Sequence, residues 1–175
     1  LPLERIASRR VETSKLLCSE TSGIRDLEFP QILELLRPGD LLVMNETKVI
    51  PARFFCKKAS GAALEILLLC PQVLDLSSEA DGSNSAFTQT WRALARPRKR
   101  LHVGDVFSLS SSIEAKVVEL PEAEVVLELT STMPLVAAIS QEGTMPIPPY
   151  IRQGKGDESD KLAYQPVQAK NLGSI

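Results

Sequence analysis

Asn45, Glu46, Thr47 and Lys48 place a carboxamide, a carboxylate, a hydroxyl and an ammonium in consecutive positions, with Arg53 close behind. The amide and hydroxyl can hydrogen-bond sugar hydroxyls or the edge of a base, and the planar guanidinium suits a carboxylate or a phosphate. A structural role competes: Asn45 and Thr47 also suit a corner where they cap backbone groups, and Arg53 an ordinary salt bridge. Arg92, Arg96, Arg98, Lys99, Arg100 and His102, with Trp91 beside them, form the one basic cluster. It suits phosphate contacts, or else the solvated end of a hairpin. Glu65 and Asp40 are acids near the first group, but nothing in the spacing pairs them as acid and base. His102, the single histidine, reads as a surface residue.

These groups need a frame. Pro38-Gly39-Asp40 is a turn signal, and residues 41–44 (Leu-Leu-Val-Met) form a short apolar run that suits a buried strand. The polar group would then emerge at the end of that strand, held rigidly and exposed by the following loop. Phe29, Ile32, Leu33 and Leu36 fall on one face of a short helix, expected to bury against the neighbouring strand. Residues 13–18 suit a strand and 21–26 a turn region. Residues 54–58, 63–69, 90–95, 106–109, 115–119 and 124–129 read as strands separated by turn signals. Residues 75–89 read as a flexible loop rich in Ser, Asp, Asn and Gly. Several short strands at this spacing imply a small antiparallel barrel or sandwich. Leu135, Ala138 and Ile139 mark a short helix, residues 145–150 a stiff Pro-rich connector, and residues 154–160 a charged surface loop.

Composition bounds the partners. The chain has 175 residues and a formal net charge of −2, so any nucleic-acid contact must come from a local patch. The longest apolar runs are too short to span a bilayer, and charges at Glu4, Arg5, Arg9 and Arg10 leave no visible secretory signal. Cys18, Cys56 and Cys70 lack metal-ligand spacing and read as reduced, half-buried thiols in a cytoplasmic protein with no structural metal.

Two blocks carry a resemblance. Pro38, Gly39, Asp40, Leu41, Leu42, Val43, Asn45, Thr47, Lys48, Val49, Pro51, Ala52 and Arg53 match the pattern Pro-Gly-Asp-Leu-Leu-Val-x-Asn-x-Thr-Arg/Lys-Val-x-Pro-Ala-Arg. Gly143-Thr144-Met145-Pro146-Ile147-Pro148-Pro149-Tyr150-Ile151 is similar to Gly-x-Met-Pro-Leu-Pro-Pro-Tyr-Ile. Both patterns resemble the S-adenosylmethionine:tRNA ribosyltransferase-isomerase family of queuosine biosynthesis. Leu1, Pro2, Ile6 and Ala7 fit the family's opening, where Arg10 replaces a Pro. Tyr164 and Gln165 resemble a Tyr-Gln-Thr-x-Tyr segment, with Pro166 and Gln168 as departures. The similarity ends at Gly173-Ser174-Ile175, before the family motif Ala-Ala-Pro-Thr-Ala-Gly-Leu-His-Phe, and so implies the N-terminal half only.

The resemblance implies a mixed α+β chain: a partial α/β catalytic-type domain (1–59 and 145–175) interrupted by an inserted small antiparallel β-barrel (60–144). It implies transfer and isomerisation of the ribosyl group of S-adenosylmethionine onto the aminomethyl-deazaguanine at the tRNA wobble position. The product is epoxyqueuosine, and adenine and methionine leave. S-adenosylmethionine is then a co-substrate, no cofactor is held permanently, and the catalytic base stays unassigned. Asn45, Thr47, Arg53, Tyr150, Tyr164 and Gln165 are the expected substrate contacts. Arg96, Arg98, Lys99 and Arg100 are the expected RNA contacts. The chain is expected to be a monomer that binds tRNA, with no membrane or metal partner. A tRNA-binding module and an inactive remnant are the rival expectations.

Overall fold

The computed structural model describes residues 14–72, 87–165 and 170–174. The sequence opening, residues 75–86 of the expected loop, and Pro166 and Gln168 lie outside the described residues, while residues 87–89, expected in that loop, are strand because they pair with residues 129–131.

Alternating apolar positions build the main body. Six strands, β4 (Arg53–Lys57), β5 (Ala63–Pro71), β6 (Phe87–Arg96), β7 (Val106–Ser108), β8 (Ile113–Glu119) and β9 (Val125–Ser131), form one antiparallel sheet in the order β4-β5-β6-β9-β8-β7. Leu64, Ile66 and Leu68 alternate inward on β5, Ala115 and Val117 on β8, and Leu127 and Leu129 on β9, all fully or almost fully buried. The sheet curls until its two edges approach, which gives a small, nearly closed barrel. At the seam Lys58, just past β4, donates to the Asp105 carboxylate just before β7 at 2.6 Å and to the Arg100 carbonyl at 2.9 Å. The His102 amide also donates to Asp105, at 2.7 Å. The bond from Lys58, followed by that from His102, holds the Asp105 carboxyl below the usual range. The expected barrel strands are therefore present, and the sheet begins at Arg53, earlier than residue 60.

Helix α2 (Leu135–Glu142) places Leu135, Ala138 and Ile139 in the barrel core, as its spacing predicts. Its last residue, Glu142, fastens it to the β7–β8 turn by accepting hydrogen bonds from the Ser111 hydroxyl at 3.1 Å and the Ser112 amide at 3.3 Å. Hydrogen bonding from the serines of this turn holds the Glu142 pKa down to about 2. The folded value thus lies below the unfolded one, near 4.5, so this contribution is present above that pH and is lost as pH falls towards 2. Glu142→Gln should remove about 1 kcal/mol at pH 7, a figure reduced for solvent screening, and flatten the fall in stability between pH 5 and about pH 2. Urea midpoints at several pH values check this, and parallel curves for the two proteins would contradict it.

The remaining elements flank the barrel sequence. β1 (Lys15–Glu20) and β2 (Gly23–Glu28) form a hairpin, so residues 23–26, expected within a turn, extend the ladder instead. The turn itself is confined to Thr21 and Ser22. β3 (Thr47–Val49) pairs in parallel with β10 (Asn171–Ser174), the one parallel contact among the described residues. The short helical segment is present, with a 3-10 turn at Phe29–Gln31 and α1 at Ile32–Leu35. Its apolar face is not buried as expected, since Leu33 is 74 % exposed.

The apolar run 41–44 also departs from expectation. It is irregular, and Leu41 and Val43 are 86 % and 87 % exposed. A strand is stabilised by neighbours that accept its hydrogen bonds and cover its side chains, and no described strand pairs with this run. The turn before it does form, with Asp40 N donating to Arg37 O at 3.0 Å and Arg37 N donating to the Asp40 carboxylate at 2.8 Å.

Candidate functional site

The polar signature is held by its own backbone. The Asn45 side-chain oxygen accepts from the Thr47 amide at 3.0 Å and from the Thr47 hydroxyl at 2.6 Å, which turns the chain into β3. Asn45 itself stays exposed. Glu46 is engaged on its other side, where its carboxylate accepts from the Asn171 side chain at 3.1 Å. Gln165 reads the backbone of Val49 as a neighbouring strand would. Its oxygen accepts from Val49 N at 2.8 Å, and its amide donates to Val49 O at 2.9 Å. Tyr164 packs with Val49 against the buried cluster of Met145, Ile147 and Ile151. The sequence block at 45–49 and the segment at 164–165 therefore meet in space.

Arg53 links the signature to the Pro-rich connector. It is 7 % exposed, and one guanidinium nitrogen donates to both Ile147 O and Gly154 O at 2.8 Å. Its Nε lies 3.4 Å from the Glu65 carboxylate. Gly154, at φ +78°, brings its carbonyl to the guanidinium, and a Cβ built there would lie 2.8 Å from Arg53 Nη1. A second close approach fixes the start of the connector. A Cβ on Gly143 would sit 1.6 Å from the Pro51 carbonyl oxygen, so only glycine allows these backbones to meet.

Strand alternation then puts a mixed surface on the outside of the barrel. Phe54 points into the core, while Phe55 is 50 % exposed on the opposite face with Lys57. Register places Phe55 beside Glu65 on β5, and Glu65 beside Arg96 on β6. The next row is Arg53, Leu67 and Leu94. A hollow of about 630 Å³ is lined by Phe55, Lys57, Glu65, Arg96, Pro97 and Arg100. A smaller one of about 160 Å³ adjoins it, sharing Glu65 and Arg96 and reaching Arg53 and Pro149. Tyr150, next to Pro149, is 56 % exposed.

The basic cluster divides into two groups. Arg92 makes a two-point contact with Glu124, at 2.6 and 2.7 Å. Arg98 donates to the carbonyls of Leu120, Pro121 and Glu124 and so braces the β8–β9 turn. Arg96, Lys99 and Arg100 make no ion pair among the described residues, and Lys99 and Arg100 ride on the 3-10 turn Arg98–Arg100. Arg100 is steadied on the rim of the hollow by a 3.2 Å bond from its guanidinium to Ala63 O. His102 lies at the surface, its side chain 77 % exposed.

Cys56 also lines the larger hollow. All three cysteines are free and half-buried, and burial pushes the Cys56 thiol up to about 11. Among the described residues no group of His, Cys, Asp and Glu is placed to hold a metal, and no helix is long and apolar enough to cross a membrane.

Sequence reasoning missed Phe55, Lys57 and Leu94. The signal was present in Arg53-Phe54-Phe55-Cys56-Lys57, whose alternate residues share one face of a strand.

The architecture is that of a mixed α+β protein in which a small antiparallel barrel adjoins a parallel pair of strands. The family model described as queuosine biosynthesis protein matches residues 1–175. The chain belongs to that family. It is 38 % identical over 180 aligned residues to the S-adenosylmethionine:tRNA ribosyltransferase-isomerase of Magnetococcus marinus, covering all of this chain and 46 % of that one. With the protein of the same name from Ruegeria pomeroyi the identity is 34 %, over all of this chain and 50 % of that one. The crystal structure of S-adenosylmethionine tRNA ribosyltransferase from Thermotoga maritima matches with a TM-score of 0.32 and 28 % identity, over 68 % of this chain and 38 % of that one. The chain spans about half the length of the curated relatives it matches.

Proposed function

We propose that the chain serves tRNA modification in queuosine biosynthesis. The reaction is transfer and isomerisation of the ribosyl group of S-adenosylmethionine onto an aminomethyl-deazaguanine at the wobble position, with epoxyqueuosine, adenine and methionine as products. The observation that carries this reading is the family match over every residue of the chain. The activity named for the relatives supplies the chemistry. S-adenosylmethionine is a co-substrate, tRNA is the partner, and the setting is the cytoplasm. The barrel is an insert between two stretches of an α/β catalytic-type unit.

On this reading the expected site residues divide by role. Asn45 and Tyr150, both exposed, are the contacts offered to the sugar or the base. Arg53, Thr47 and Gln165 position them: Arg53 ties the connector to the barrel, and the other two set the course of β3. Tyr164 supports the same region through the Met145 cluster. Arg96, Lys99 and Arg100 face the tRNA phosphates, and Arg98 shapes the turn that presents two of them.

Mixing the chain with S-adenosylmethionine and precursor tRNA, and following free adenine by chromatography, tests the chemistry. Adenine released in step with base modification is the expected result. Salt-dependent tRNA binding with no adenine released, beside an active full-length relative, would favour a second reading in which this chain is a tRNA-binding module. The cationic turn specifically supports that alternative.

A further inference from the structure

Phe55 stands where a strand ordinarily carries a polar side chain, on the solvent face of β4, half exposed. An isolated exposed phenylalanine needs no explanation. This one is framed. Lys57 follows it on the same face, Arg96 lies two strands away in the same cross-strand row, and Arg100 closes the rim of the hollow that Phe55 lines. Between Phe55 and Arg96 stands Glu65, whose charge is met by Arg53 at 3.4 Å. The net field at the hollow is therefore cationic. Its volume, about 630 Å³, falls within the range of ligand pockets, roughly 300–1,000 Å³. An aromatic face surrounded by cations is the arrangement that holds single-stranded nucleic acid. The ring stacks a base of any identity, and the cations take the phosphates on either side.

We infer that Phe55 is a stacking platform for an unpaired nucleotide of the bound RNA, with Lys57, Arg96 and Arg100 holding the flanking phosphates. This deepens, and rests on, the reading of the chain as a tRNA-contacting protein.

The test uses short RNA hairpins, each with 2-aminopurine at one position of an unpaired loop, and a blunt RNA duplex of equal charge. The expected result is fluorescence quenching at one loop position on binding, with loop RNA bound tighter than the duplex. Phe55→Ala should abolish the quenching and weaken loop binding about ten-fold, while leaving duplex binding and the salt dependence unchanged. Phe55→Trp should retain both quenching and affinity. Matching urea transitions would show that the alanine variant remains folded. If Phe55→Ala binds the loop as tightly as the parent, while Arg96→Ala with Arg100→Ala loses affinity, the platform is overturned and the tRNA reading stands. If the parent binds neither RNA in a salt-dependent way, the tRNA reading fails with it.

Discussion

Arg53→Met lowers the free energy of unfolding by about 3–5 kcal/mol, a large share of the roughly 5–15 kcal/mol available to a domain. The guanidinium is buried and joins three elements at once. It satisfies the Ile147 and Gly154 carbonyls at 2.8 Å and faces Glu65 at 3.4 Å. Methionine fills similar space but donates nothing. Two carbonyls then lose their partner and a carboxylate loses its counter-charge, which is the costly direction of such a change. Arg53→Lys should recover only part of the loss, because one ammonium that meets the two carbonyls cannot also stand where Nε faces Glu65. Urea unfolding measures both variants. A loss below about 0.5 kcal/mol for the methionine variant, typical of an ordinary surface substitution, would mean the connector is not held through Arg53.

The second large effect concerns binding. Arg96→Ala combined with Arg100→Ala should weaken tRNA binding roughly 30-fold, from two charged contacts of about 1 kcal/mol each. The reduction should be nearly the same for every tRNA, because phosphate contacts carry no sequence information. Arg98→Ala should act differently. Its guanidinium braces the carbonyls of the β8–β9 turn, so its loss appears first as reduced stability, with a smaller change in the salt dependence. Comparing the two variants therefore separates the cations proposed to face the partner from the one that braces the turn. Equal salt slopes for the double variant and the parent would remove Arg96 and Arg100 from the interface.

Much of this molecule was legible because its barrel strands carry their information locally. Leu64, Ile66 and Leu68, and again Ala115 and Val117, alternate with more exposed residues, so each strand declares both its period and its buried face. Helix α2 was equally plain, since Leu135, Ala138 and Ile139 share one face and one core. The run 41–44 was misread because apolar sequence states a preference for burial without supplying the strand that would cover it. The same holds for Leu33, and residues 23–26 formed a strand because pairing with β1 overrode a turn-like composition.

The candidate site divides in the same way. Residue type picked out Asn45, Arg53 and the basic cluster, but type does not say which groups the fold consumes. Arg92 and Arg98 are engaged by the loop at Leu120, Pro121 and Glu124, a pairing made across long stretches of sequence. Gln165 is turned to Val49 by the meeting of two segments that lie far apart in the chain. Phe55 gains meaning only from the register that puts Glu65 and Arg96 beside it.

The claim that the outer face of this barrel holds tRNA is tested most directly by measuring binding across a range of salt concentrations. Log affinity should fall linearly with log salt, with a slope reduced by about two units in the Arg96→Ala, Arg100→Ala variant. Binding that does not change with salt, or the same slope in both proteins, would contradict it.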